Sequence, residues 1–242
     1  MTNPATSRPT IADLVRRDGF AFVHDNEMRG VLQANGLSDW DAFAESWNDL
    51  GLDTYMADGG RYRRRRHAVF TAGPDGITRK PAQPHYQSRD YNALNGGIAR
   101  WFDPVTEAVA QSSAFGAILR TCHLVFDALS PGVPVWEVET HQFRIEARRG
   151  EAGQPTPEGM HRDGVDWVLV LMVRRENIAS GETTIHDLDR HLLGSFTLAR
   201  AMDAAWVNDS RVYHGVTPVE PKDPSQPAFR DVLVVTFRRV GG

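Results

Sequence analysis

Apolar positions recur at helical spacing in the first half of the chain, whereas in the second half they alternate or run in short blocks. Beyond Pro9-Thr10, Ile11, Leu14 and Val15 share one side of a short helix over 11–17, which Gly19 ends. Phe20-Ala21-Phe22-Val23 reads as a short strand. Met28, Val31 and Leu32 mark a helix over 27–35 stopped by Asn35-Gly36. Ser38 is placed to cap a third helix over 39–50, whose Trp40, Phe43, Trp47 and Leu50 form a packing face. Residues 101–129 read as two helices, one after Asp103-Pro104 and one after Ser112-Ser113. From Trp136 the period changes. Residues 135–147 alternate, with Val138, Thr140, Gln142, Arg144 and Glu146 on one face and Glu139, His141, Phe143 and Ile145 on the other. Further strands are expected over 167–173, 183–186, 195–198, 204–207, 214–219 and 230–240, with a hairpin loop at 221–227.

Short strands at regular spacing after a helical half predict a mainly β fold with helices. The expected core is a double-stranded β-helix (jelly-roll, cupin-like) over 135–242, braced by a mostly helical support and lid over 1–134 within one domain. The polar stretch 81–97 is long enough to act as a lid or pocket wall. The basic run Arg61-Tyr62-Arg63-Arg64-Arg65-Arg66 reads chiefly as an edge or solvated strand, with one alternate set of arginines left as a candidate anion pocket.

A net charge of -4 gives no electrostatic case for nucleic acid, and no apolar run reaches the roughly 18 residues of a membrane helix. The segment Met1 to Arg8 is polar, lacks the apolar centre of a signal peptide and is expected to be disordered. The single cysteine, Cys122, permits no intrachain disulfide and fits a reducing, cytoplasmic setting.

The chemistry concentrates in Pro157-Glu158-Gly159-Met160-His161-Arg162-Asp163-Gly164, which runs into the apolar block Trp167-Val168-Leu169-Val170. In extended chain, residues two apart face the same way, so His161 and Asp163 can hold one ion while Arg162 points away. His214, in Asn208-Asp209-Ser210-Arg211-Val212-Tyr213-His214-Gly215, is the candidate third ligand. Two imidazoles and a carboxylate form the facial triad of non-haem Fe(II) oxygenases, with positions left open for a co-substrate and O2. Arg230, at the head of the apolar strand Val232-Leu233-Val234-Val235, is placed to fork onto the remote carboxylate of 2-oxoglutarate. His141 is the one other histidine set to reach a cavity.

The segments around 143–145, 157–164, 175–182, 208–218 and 230–233 resemble the bacterial Fe(II)/2-oxoglutarate-dependent dioxygenases that hydroxylate free L-amino acids, the group of L-isoleucine hydroxylase. The resemblance covers the C-terminal part well and the N-terminal half loosely, through 91–97 and 100–102. It implies iron on His161, Asp163 and His214, 2-oxoglutarate on Arg230, and O2 as oxidant. For the amino-acid substrate it offers Arg144, Gln87 and Ser88 as candidates. Asp163 sets the chain apart from related halogenases, which lack the metal carboxylate. Two other readings remain: a cupin-like metal enzyme working without 2-oxoglutarate, and a non-catalytic jelly-roll that binds a small ligand. The long helices offer either a homodimer face or a brace for the sandwich.

Overall fold

The computed structural model describes residues 9–92 and 94–241; the expectation for Met1 to Arg8 lies outside them. In chain order the elements are α1 (Ile11–Asp18), β1 (Phe20–Val23), α2 (Asp25–Ala34), α3 (Trp40–Glu45) with a 3-10 turn over Ser46–Asp49, β2 (Arg63–Gly73), β3 (Gly76–Arg79), α4 (Glu107–Ala110) and α5 (Ser113–Leu129). There follow β4 (Trp136–Ala147), β5 (Trp167–Glu176), β6 (Ile178–Ser180), β7 (Thr183–His186), β8 (Leu192–Phe196), β9 (Ala204–Asn208), β10 (Tyr213–Val216), β11 (Val219–Pro221) and β12 (Ala228–Arg239).

The major sheet runs β1-β9-β5-β12-β4-β2-β3, every neighbouring pair antiparallel. Facing it are the smaller sheet β10-β7-β8 and the pair β11-β6. This is the expected jelly-roll, but its major sheet is not confined to the C-terminal half, because β1, β2 and β3 are built into it. Leu169, Leu171, Leu233, Val235 and Phe237 point from the sheet into a core shared with the helices. Phe126 of α5 joins them, its ring edge-on to Phe237 at 5.0 Å and to Trp206 at 5.5 Å. The alternate residues Val168, Val170, Met172, Val232 and Val234 face the space between the sheets.

Local signals account for most boundaries. Thr10 and Asp13 close a capping box on α1, and Gly19 ends it in the left-handed region at φ 83°. Asp39, rather than Ser38, takes the cap position of α3. Its carboxylate turns to the start of α5, accepting from the amides of Ser113 and Ala114 at 2.9 and 2.8 Å. The expected strand over 214–219 is two strands, because Pro218 has no N–H to continue the ladder. The helix expected after Asp103-Pro104 starts later, at Glu107. Before it the chain runs beside β2, where the His67 amide donates to Asp103 O at 3.0 Å.

That strip corrects the reading of the arginine run. β2 lies inside the sheet, with Gly51 to Asp53, Asp103 to Val105 and β3 covering its far side. Arg64 and Arg66 point outward to Glu146 and Asp49. Arg63 and Arg65 point inward and are buried. Burial is tolerated because Asp53 sits 2.7 Å from Arg63 and 3.6 Å from Arg65, and because the Arg65 guanidinium stacks 3.7 Å from the Phe102 ring centroid.

β4 holds a second correction. The face carrying Glu139, His141, Phe143 and Ile145 is the one that lines the cavity. Arg144 turns the other way and forks onto Asp231 of β12 through Nε and Nη2, both at 2.7 Å. It is therefore not a cavity residue. Burial raises the pKa of Asp231, and the Arg144 guanidinium opposes that rise. Arg144→Gln is expected to destabilise the fold by roughly 3 kcal/mol in urea unfolding, by stranding a buried carboxylate. The same variant should leave the apparent KM for the substrate at its wild-type value; a large rise in that KM would return Arg144 to the binding site.

Candidate active site

The loop over 157–166 enters β5 and lies against β10 through one antiparallel bridge. The His161 amide donates to His214 O and the His214 amide to His161 O, both at 2.9 Å. Paired residues of a bridge project to the same side, and here the two imidazole centroids stand 4.5 Å apart. Asp163 completes the group, with its oxygens 3.6 Å from His161 Nε2 and 3.5 Å from His214 Nε2. Ligands that each sit about 2.1 Å from one ion stand about 3 Å from one another, so small rotations close this set on a metal. His161 Nδ1 lies 3.0 Å from Gly159 O, which directs Nε2 into the group.

Asp209 fixes the loop. Its buried carboxylate accepts from the amides of Asp163 and Gly164 at 2.8 Å and of Val165 at 3.1 Å. Gly164 has φ +80°, and a Cβ there would meet the Tyr91 ring at 2.6 Å, so only glycine fits the turn. Burial pushes the Asp209 carboxyl up to about 6, with the nearby Asp163 charge adding to the rise. Burial works against charge on His161, but the carboxylates of Asp163 and Glu158 more than offset it and hold its pKa up at about 9. Burial and the neighbouring His161 pull His214 down to about 4. Desolvation opposes ionisation of Asp163, yet contact with His161 holds it well below the usual carboxylate range. The group is thus an ionised carboxylate with one charged and one neutral imidazole, and a divalent cation can take the place of the His161 proton.

Between the two sheets lies a cavity of about 590 Å³. The three ligand-type side chains open onto it, as do Val170, Val232 and Val234. Arg230 lies on the same cavity wall, only 2% exposed, with Nε and Nη1 meeting no hydrogen-bond acceptor among the described residues. Burial lowers its pKa to about 10, which leaves it charged at neutral pH. A buried guanidinium with two free donors fits an anion.

The 81–97 stretch forms a cavity wall, as expected, through Gln83 to Ser88, Tyr91 and Asn92. Gln87 is committed at both ends of its amide. Nε2 donates to Asp163 O at 3.1 Å and approaches Oδ1 at 3.4 Å, while Oε1 accepts from Asn92 Nδ2 at 3.1 Å. Asn92 Oδ1 in turn accepts from the Asn95 amide at 2.7 Å, and Asn95 Oδ1 from the Ala57 amide at 3.0 Å. This file of buried amides leaves Gln87 positioning the carboxylate rather than free to meet a substrate. Ser88 lines the cavity with its side chain uncommitted among the described residues.

The deep end of the cavity brings together residues that no local motif announced. Glu139 Oε2 is 2.9 Å from His67 Nε2 and 2.6 Å from His85 Nδ1, and His141 Nε2 is 3.6 Å away. Arg65 Nη2 sits 2.7 Å from His141 Nδ1, so that nitrogen must accept. Burial depresses His85 to about 4 and His141 well below its ordinary value. His67, His85 and His141 fence one carboxylate, and the Arg65 guanidinium beside them opposes a cation there. The alternation of Arg63 and Arg65 and the placing of His141 toward a cavity were the signals of this end in the sequence; His67 comes from β2, Glu139 from β4 and His85 from the lid.

A family model described as 2OG-Fe dioxygenase matches residues 44–236. A 3(1)-hydroxy-L-isoleucine 4-dioxygenase of Pantoea ananatis is 27% identical, covering 92% of this chain and 93% of that protein. An L-isoleucine-4-hydroxylase of Bacillus thuringiensis is 25% identical, covering 92% and 98%. The crystal structure of a bsmA homologue from Methylobium petroleophilum is 33% identical with a TM-score of 0.85, covering 95% of this chain and 92% of that one. With the model spanning most of the sequence and the ligand-type group assembled inside it, the chain belongs to the 2OG-Fe dioxygenase family, enzymes that use Fe(II), 2-oxoglutarate and O2.

Proposed function

We propose that this dioxygenase hydroxylates an unactivated C–H bond of a small free L-amino acid or close derivative. One oxygen atom of O2 enters the substrate and the other enters succinate, formed with CO2 from 2-oxoglutarate. The observation that carries this reading is Arg230, a buried guanidinium with no carboxylate partner among the described residues, on the wall of the cavity onto which the triad opens. A metal enzyme that dispensed with a 2-oxo acid would have no use for it. The names of the two isoleucine-oxidising relatives support a free amino acid as substrate. The single, buried Cys122 is in keeping with a cytoplasmic setting.

In this reading His161, Asp163 and His214 would hold the ferrous ion, and a three-residue ligand set would leave room at it for the co-substrate and O2. Bound iron supplies the O2 activation that no side chain can provide. Arg230 binds the far carboxylate of 2-oxoglutarate, and Val170, Val232 and Val234 cover its methylenes. Asp209 and Gln87 keep Asp163 from turning away, and the 81–97 wall excludes water from the substrate.

Asp163→Ala should abolish Fe(II)-dependent succinate formation; full turnover in that variant would remove Asp163 from the ligand set. Arg230→Gln should raise the apparent KM for 2-oxoglutarate roughly ten- to hundredfold, the worth of a charge-assisted hydrogen bond. An unchanged KM would mean the co-substrate is anchored elsewhere. A screen of the twenty L-amino acids for stimulated succinate release tests the substrate class, and a panel that leaves the substrate-free rate unmoved sinks it.

A further inference from the structure

The cavity contains a second buried guanidinium without an ion-pair partner among the described residues. Arg100 is 2% exposed and lines the same cavity as Arg230 and the triad. Its backbone is fixed by pairing with His85 through two bonds of 2.9 Å. Its side chain makes no hydrogen bond or ion pair among the described residues, and Nε is buried without an acceptor. The anions that act on it are Asp53, Glu158 and Glu139, and burial lowers its pKa. Asp53 is already occupied by Arg63 at 2.7 Å and by the Tyr55 amide at 2.9 Å. Glu139 is occupied by His67 and His85.

Glu158 is different. Its Oε1 lies 3.6 Å from His161 Nε2, which puts it beside the triad, and its Oε2 is buried with no donor among the described residues. An unmatched buried donor and an unmatched buried acceptor therefore border one cavity, close enough for Glu158 to act on the charge of Arg100. Leaving such groups unpaired is costly, so their natural complement is a ligand that brings one anion and one cation. Arg230 is accounted for by 2-oxoglutarate, which leaves Arg100 for the other substrate.

We infer that Arg100 and Glu158 form a clamp for an α-amino-acid zwitterion, with Arg100 binding the α-carboxylate and Glu158 the α-ammonium next to the triad. The clamp rests on the amino-acid reading above and takes the place expected of Arg144. Holding both charged groups of the common amino-acid head leaves the side chain as the part presented for oxidation. A free amino acid is then required: a peptide, ester or N-acyl derivative leaves one of the two groups unmatched.

The test uses the Fe(II)-loaded enzyme with 2-oxoglutarate and the amino acid that most stimulates succinate release. Its methyl ester and its N-acetyl derivative are run beside it. In the wild type, both derivatives should fall by about tenfold or more in kcat/KM. Arg100→Gln should raise the KM for the free amino acid roughly ten- to hundredfold and erase the preference for acid over ester. Glu158→Gln should erase the preference for the free amine over the N-acetyl form while keeping that for the acid. In both variants the KM for 2-oxoglutarate should stay within about twofold, which a merely loosened fold would not give. A wild type that accepts the ester as readily as the acid overturns the clamp without any variant. So does an Arg100→Gln enzyme that keeps the wild-type acid-to-ester ratio. An amino-acid panel with no active member fails at an earlier step and rejects the substrate class itself.

Discussion

Asp209 receives the amide hydrogens of Asp163, Gly164 and Val165, and through them a loop without regular structure is given one conformation. The bridge between His161 and His214 fixes two of the three ligand-type side chains; this carboxylate, with the Gln87 amide, fixes the third. A buried acceptor taking three N–H bonds cannot move without losing all of them, and each loss leaves a part-buried backbone donor unpaired. Rigid support of this kind is what a metal group needs, since side chains placed on loops are otherwise loosely held.

Around that point the molecule divides its charges by task. Arg63 and Arg65 are matched by Asp53, and Glu139 is matched by histidines, so these groups shape a wall. Among the described residues Arg230 and Arg100 are left without an ion-pair partner, and both line the same cavity. The contrast matters more than the number of arginines, because a paired guanidinium is structure and an unpaired buried one is a vacancy for an anion.

How far the sequence could be read follows from how local each signal was. The His-x-Asp pair is two residues of extended chain, and His214 and Arg230 stand at strand starts, so their chemistry shows before folding. The helices and most strands announce themselves by period and caps. Arg144 misled because β4 is covered on both faces, by helices on one and by the cavity on the other. Its two alternating sets both mix polar and apolar residues, and period alone cannot tell which set meets the ligand. β2 misled for a related reason: an arginine run looks solvated until Asp53, ten residues earlier and absent from any motif, is paired beside it. Asp209 sits in a turn, and nothing local marks it, because the amides it collects come from a segment some 45 positions earlier.

The amides running from Ala57 through Asn95, Asn92 and Gln87 to Asp163 have a consequence for how such a protein can change. The roof over the reactants and the metal's carboxylate are joined by direct contacts, so neither can be remodelled as an independent part. A lineage adapting this roof to a bulkier reactant would have to preserve or rebuild the whole file of side-chain amides at once. Variation in selectivity should then accumulate on the opposite wall, where β2 and β4 carry the charged floor, sooner than in the roof itself.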